Sequence, residues 1–110
     1  MGSSVPIQKW FTLEGEVPAG DSKIIDKLPF HTTRLVKYLN SIYNDVEGKS
    51  SASELLGSKK SSTINDSVYG ILGDYLDIDI NLLHVGSEIH LEIINNEIYP
   101  VNYSVLRTSI

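Results

Sequence analysis

At 110 residues with 41% hydrophobic content, the chain matches one globular domain that folds without staples. It contains no cysteine, which excludes disulfides, thiolate metal sites and cysteine nucleophiles. Nine basic against 14 acidic residues give a net charge of −5. The one basic pair, Lys59-Lys60, is too little to hold a phosphate backbone or an anionic bilayer, so no nucleic-acid or membrane partner is expected. No apolar run approaches the roughly 18–20 residues of a membrane-spanning helix.

Met1-Gly2-Ser3-Ser4 has neither a basic start nor an apolar stretch. It reads as an expression-tag remnant rather than a signal peptide, leaving 5–110 as a single domain. Lys9 to Leu13 reads as a strand, Pro18-Ala19-Gly20-Asp21 as a turn, and Ser22 to Leu28 as a short strand closed by Pro29. In Arg34 to Asp45, Leu35, Tyr38, Leu39 and Ile42 fall at helical spacing. Val36, Tyr38 and Ile42 also fit a strand in which Asn40 is the exception. Thr32 and Thr33 lack the Glu or Gln three residues on that would cap a helix. A strand is therefore expected, with one amphipathic helix over 34–45 as the rival.

Lys49 to Leu56 is a weaker strand candidate, followed by a Ser/Lys loop at Gly57 to Ser62. Ser62 to Leu72 is a further strand, ended by Gly70, Gly73 and Asp74. From Leu76 to Asn95 the pattern is clearest. Leu76, Ile78, Ile80 and Leu82 alternate with Asp77, Asp79, Asn81 and Leu83, the period of a half-buried strand. Gly86-Ser87 offers a two-residue turn. That turn pairs Val85 with Glu88, which sets Leu82 opposite Leu91 and Ile80 opposite Ile93 on one face, and Leu83 opposite His90 and Asn81 opposite Glu92 on the other. A slip of one residue would destroy the match. Asn95-Asn96-Glu97 is the next turn, and Val101, Tyr103 and Val105 mark a last strand ending near Arg107. About eight short strands make an all-β, antiparallel β-sandwich of jelly-roll type.

Chemistry-bearing constellations are sparse. Asp77, Asp79, Asn81 and Glu88 mimic an EF-hand loop, yet its sixth position, obligatory Gly, is Leu82. A solvated strand face explains the same acids. His84 and His90 fall on opposite faces of the hairpin and cannot share a metal; His31 could join either. No Gly-x-Ser-x-Gly elbow is present. Glu14 and Glu16 share a strand face as a glycosidase pair might, without an inferable cleft. Neither an enzyme nor a cofactor is expected. Trp10, Tyr43, Tyr69 and Tyr75 are the candidate ligand or interface contacts, because amphipathic rings suit binding surfaces.

Lys37-Tyr38-Leu39, a Ser/Gly-rich loop, Asp66-Ser67-Val68-Tyr69-Gly70, an alternating hairpin and Val105-Leu106-Arg107-Thr108-Ser109-Ile110 follow one another in an order that resembles a β-sandwich module of tailed-bacteriophage virions, of tail-fibre, baseplate or decoration type. The resemblance covers about Thr33 to Ile110. Where that module usually has a His-Asp-Gly turn, this chain has Gly57-Ser58-Lys59-Lys60. The resemblance implies a virion structural module (tail fibre, baseplate or capsid decoration) acting by protein–protein assembly. It would be assembled in the host cytoplasm as a homotrimer with other virion proteins. The alternative is a carbohydrate- or receptor-binding module of a phage adhesin.

Overall fold

The computed structural model describes residues 10–110, all β and in two sheets. The tag reading of residues 1–4, the residues up to Gln8 and the expected strand start at Lys9 lie outside the described residues. Eight strands follow in chain order: β1 (Phe11–Val17), β2 (Ser22–Pro29), β3 (Leu35–Asn44), β4 (Lys49–Lys60), β5 (Thr63–Gly73), β6 (Ile78–Val85), β7 (Glu88–Asn95) and β8 (Val101–Ser109). A five-stranded sheet has the order β1-β8-β3-β4-β5, and a three-stranded sheet the order β2-β7-β6. Every pairing is antiparallel. The sheets pack as a β-sandwich, which is the expected fold class.

The hairpin register comes out as the sequence dictates. Leu82 faces Leu91, Ile80 faces Ile93 and Leu83 faces His90, with Val85 and Glu88 closing the turn at Gly86, whose φ is +60°. The 34–45 segment is a strand and not a helix. Val36, Tyr38, Asn40, Ile42 and Asn44 are all buried while Leu39, Ser41 and Tyr43 are exposed, a strict period of two. Asn40 breaks the apolar pattern without breaking the geometry, because its Nδ2 reaches Ser53 Oγ across the ladder at 3.4 Å. The expected Gly57 to Ser62 loop shrinks to Ser61-Ser62. β4 runs on to Lys60 because each residue from Gly57 onward keeps a partner on β5.

The core lies between the sheets. Val36, Tyr38 and Ile42 of β3, Leu55 of β4, and Val101, Tyr103 and Val105 of β8 meet Leu28, Leu82, Ile89, Leu91 and Ile93 of the smaller sheet. Burying such side chains contributes roughly 1.5–3 kcal/mol each. One glycine sets how closely the layers approach, and another makes room for a ring of its own sheet. A Cβ on Gly57 would run into Leu82 Cδ1, and one on Gly15 would lie 2.8 Å from Cζ of Tyr103, whose ring covers the β1 backbone.

The three-stranded sheet is too narrow to cover its partner. β5 is therefore exposed along nearly its whole length, and only Ile64 packs against the core. Among the described residues, this asymmetry leaves the outer face of the larger sheet and the edge at β5 uncovered.

Candidate functional site: the outer face of the five-stranded sheet

The registers fix which side chains share the outer face. Thr12, Leu106, Leu39, Glu54 and Tyr69 lie in one row across β1, β8, β3, β4 and β5. The next row holds Glu14, Ser104, Ser41, Ala52 and Leu72. On the other side lie Thr108, Lys37, Leu56 and Ser67, with Trp10 at the level of Thr108 by extension of the β1 register. Leu39 and Leu106 stand directly opposite each other at mid-sheet and are each 38% exposed. Leu72 is 70% exposed. A shallow groove runs along Leu39, Ala52, Glu54, Leu72, Ser104 and Leu106. A single charged pair crosses it, Lys37 Nζ to Glu54 Oε1 at 2.7 Å. The carboxylate, by hydrogen bond and charge, raises the Lys37 pKa and keeps that ammonium protonated.

Period-two strands normally alternate apolar-in with polar-out. Here leucines occupy outward positions on four adjacent strands, with Tyr69 beside Leu72 on β5. An exposed apolar field of this kind makes the outer face the candidate functional surface.

Of the four aromatic candidates, Trp10, Tyr43 and Tyr69 fall on or beside this face and Tyr75 does not. Tyr43 lies opposite Asn102 and Ser50, at the far end from Trp10. At about 3.4 Å per residue and 4.8 Å per strand, the three rings stand roughly 17–23 Å apart. They therefore form no common stacking shelf, and each borders the aliphatic field at a different corner. Tyr75, 82% exposed, lies in the β5–β6 connection. It lines a separate open cleft of about 290 Å³ with Ile42, Val68, Ile71, Leu76 and Ile78, rimmed by Asp74 and Asp79.

Trp10 also walls a smaller pocket of about 160 Å³ with Leu35, Lys37, Leu56, Thr108 and Ile110. Thr108 is 8% exposed and its Oγ1 has no hydrogen-bond partner. The position after Arg107 carries no sequence signal of such a group.

A polar cluster lies inside the sandwich, beyond the residues that the sequence singles out. Arg107 Nη1 donates to both carboxylate oxygens of Asp26 at 3.2 Å, and the Tyr38 hydroxyl donates to Asp26 Oδ2 at 2.9 Å. Asp26 belongs to the smaller sheet and the other two to the larger, so the cluster ties the layers together. The Phe11 ring caps the guanidinium at 4.4 Å. A shift in register between Ile24 and Asp26 turns the carboxylate inward. Burial, with the Asp26 charge second, pushes the Tyr38 hydroxyl well above its ordinary 10.0. The unfolded chain ionises this tyrosine near that value while the folded one keeps its proton. Stability therefore falls as pH rises past about 10, by up to 1.4 kcal/mol per pH unit from this group. Alkaline titration followed by tyrosinate absorbance checks it: Tyr38 should ionise only together with unfolding.

The remaining constellations are dispersed over both sheets. His84 stacks on Phe30 at 3.7 Å and His31 meets the same ring edge-on, while His90 pairs with Glu88 on the other face. Asp79 accepts a 3.1 Å hydrogen bond from Asn96 Nδ2, at the start of a half-exposed strand. Glu14 and Glu16 share the outer face beside Ser104 and Asn102. Among the described residues no three His, Asp or Glu side chains gather as a metal site.

No family model matches the chain, and no curated protein matches it. Among solved structures it is similar to the Acinetobacter phage vB_ApiP_P1 tailspike protein, with a TM-score of 0.46 and 12% identity. That likeness covers 100% of this chain and 22% of the tailspike chain.

Proposed function

We propose that this chain is a non-enzymatic structural module of a bacteriophage virion that acts by protein–protein assembly, with copies of itself as its first partner. The observation that carries the assembly reading is the outward Leu39–Leu106 pair, flanked by Leu56, Leu72 and Tyr69 on the face of the larger sheet. The virion setting is supported by the sequence pattern from Thr33 to Ile110. A homotrimer is the stoichiometry that goes with that pattern.

Removing the field should remove the association. The double substitution Leu39→Lys/Leu106→Glu places an opposite-charge pair where a partner would seat apolar side chains. Both positions are over a third exposed, so the fold should tolerate the change within about 1 kcal/mol. Light scattering should show the wild type above one chain mass at high concentration and the variant at one chain mass, with similar melting curves. Unchanged association in the variant would remove the outer face from the account.

A second reading, a glycan subsite of an adhesin, is favoured by the Trp10 pocket. An indole ring, the unpaired Thr108 hydroxyl and the Lys37 ammonium line 160 Å³, a combination of stacking plane and polar groups suited to a sugar ring. Trp10 is the chain's one tryptophan, so its fluorescence reports directly. Titration with a glycan panel should shift the emission if the pocket binds sugar. No response from any member would dismiss this reading.

A further inference from the structure

Five strands in one sheet face three in the other, and the shortfall falls beyond β6. Leu82 of β6 lies directly on Gly57 of β4, which places β6 above β4. β5 is the next strand outward, has no strand of the smaller sheet above it, and is exposed along nearly its whole length. Its inner side carries Val68 and Ile71, 42% and 68% exposed, on the wall of the 290 Å³ cleft. Ile42, Leu76, Ile78 and Ile80 complete that wall, so the cleft reaches in between the layers.

Beside this strip the backbone of β6 is open. β6 pairs with β7 alone, and Val85 and Glu88 close the two-residue turn at Gly86-Ser87. A closing pair exchanges both its hydrogen bonds, so alternation directs Leu83, Asn81 and Asp79 to β7 as well. The N–H and C=O groups of Ile80 and Leu82 therefore point along the sheet, away from β7. Ile78, next in this series, gives its N–H to the Leu76 carbonyl at 2.8 Å. A further strand beside β6 would sit about 4.8 Å farther out, over β5. Its inward side chains would enter the cleft and cover Val68 and Ile71, while its outward ones flanked Asp79 and Asn81.

The charges around this groove have one sign. Asp74 and Asp79 line it, Asp66 stands farther along the inner side of β5, and no Lys, Arg or His lines it. Among the described residues none of these three acids has a cationic partner. Asp74 accepts from the Ser50 amide and Asp79 from Asn96 Nδ2, both neutral donors. We infer that the open side of the sandwich accepts an extended segment of another protein as a fourth strand of the smaller sheet, apolar at alternate positions and basic between them. Backbone pairing to Ile80 and Leu82 supplies the attachment, and the cleft and the acidic rim select the sequence. The described residues of a second copy offer no such donor, because each of their extended segments already lies in a sheet. This groove is separate from the outer face, and the inference goes beyond the assembly reading.

Nuclear magnetic resonance of the full isotope-labelled chain tests it, with a capped peptide of alternating valine and lysine as the probe. The peptide should bind saturably and slow amide exchange at Ile80 and Leu82 about tenfold. The same peptide with glutamate in place of lysine should bind about tenfold more weakly, because each attraction to the rim becomes a repulsion. Ile71→Lys sets a cation in the groove at an exposed position. It should weaken binding of the lysine peptide about tenfold, with melting unchanged. No binding, binding that leaves Ile80 and Leu82 unprotected, equal affinity for the two peptides, or an Ile71→Lys protein that binds like the wild type would each overturn the inference. Protection of those amides that rises with protein concentration alone would make a second copy the occupant and overturn it too. Any of these results leaves the outer-face reading standing.

Discussion

Replacing Arg107 with methionine is expected to destabilise the domain by about 3–5 kcal/mol, the cost of leaving one partner of a buried ion pair alone. Asp26, its side chain 9% exposed, would keep a carboxylate between the sheets with only the Tyr38 hydroxyl to satisfy it. In a domain of this size the melting temperature should fall by more than about 10 °C. The reverse experiment isolates the cause. Asp26→Leu, Tyr38→Phe and Arg107→Met together remove every polar member, and apolar replacement of a whole buried cluster is commonly neutral or stabilising. The triple variant should therefore melt well above Arg107→Met alone. Equal melting temperatures for the two would show that Arg107 acts through its packing against Phe11 rather than through charge.

Asn95→Ala is the second large effect, about 2–4 kcal/mol. Asn95 is fully buried at the end of β7, where the chain leaves the smaller sheet for the larger. Its Nδ2 donates to the carbonyls of Tyr99, Val17 and Pro18 at 2.9, 3.1 and 3.2 Å, and its Oδ1 accepts from the Glu97 amide at 2.8 Å. One side chain thus satisfies the end of β1, the β7–β8 crossover and its own turn. Alanine leaves these groups unpaired away from water, at about 1–3 kcal/mol for a buried unsatisfied group. Denaturant melts of Asn95→Ala and the near-isosteric Asn95→Asp separate hydrogen bonding from shape. Aspartate has no N–H to offer three carbonyls and should be at least as destabilising as alanine. An Asn95→Asp protein as stable as the wild type would refute this role.

The β6–β7 hairpin was legible because three independent constraints coincide there: strict alternation, a two-residue turn, and apolar pairs on one face in a single register. β3 was harder, since a buried Asn40 disguises a strand as a helix when only hydrophobicity is counted. β4 runs past its sequence signal because Ser58, Lys59 and Lys60 resemble a loop. What holds them extended is the β5 ladder, a partner that local composition does not show. Lys59 is also drawn inward, its ammonium donating to the carbonyls of Phe30 and His31 at 3.0 Å.

The inter-sheet cluster could have been found by carrying the period of two one step further. Arg107 follows Val101, Tyr103 and Val105 on the inward face, and Tyr38 lies between Val36 and Ile42 in the same way. Asp26 was hidden, because the register shift before it reverses the parity of β2. The outward leucines are a different matter. Leu39, Leu56 and Leu106 each look like ordinary strand residues, and only the sheet order makes neighbours of positions so far apart in the chain. The aromatic candidates share a residue type, and residue type does not set distance. Three of them reached the same face without reaching one another.

Oxidative footprinting at dilute and concentrated protein tests the central claim most directly, because it reads which surface assembly covers. If the outer face is the contact, Leu39, Leu106 and Tyr69 become protected at high concentration. Val46 and Ile98, exposed on loops away from that face, should stay as reactive as before. Equal labelling of Leu39 and Leu106 at every concentration, in a sample whose mass shows association, would contradict the account.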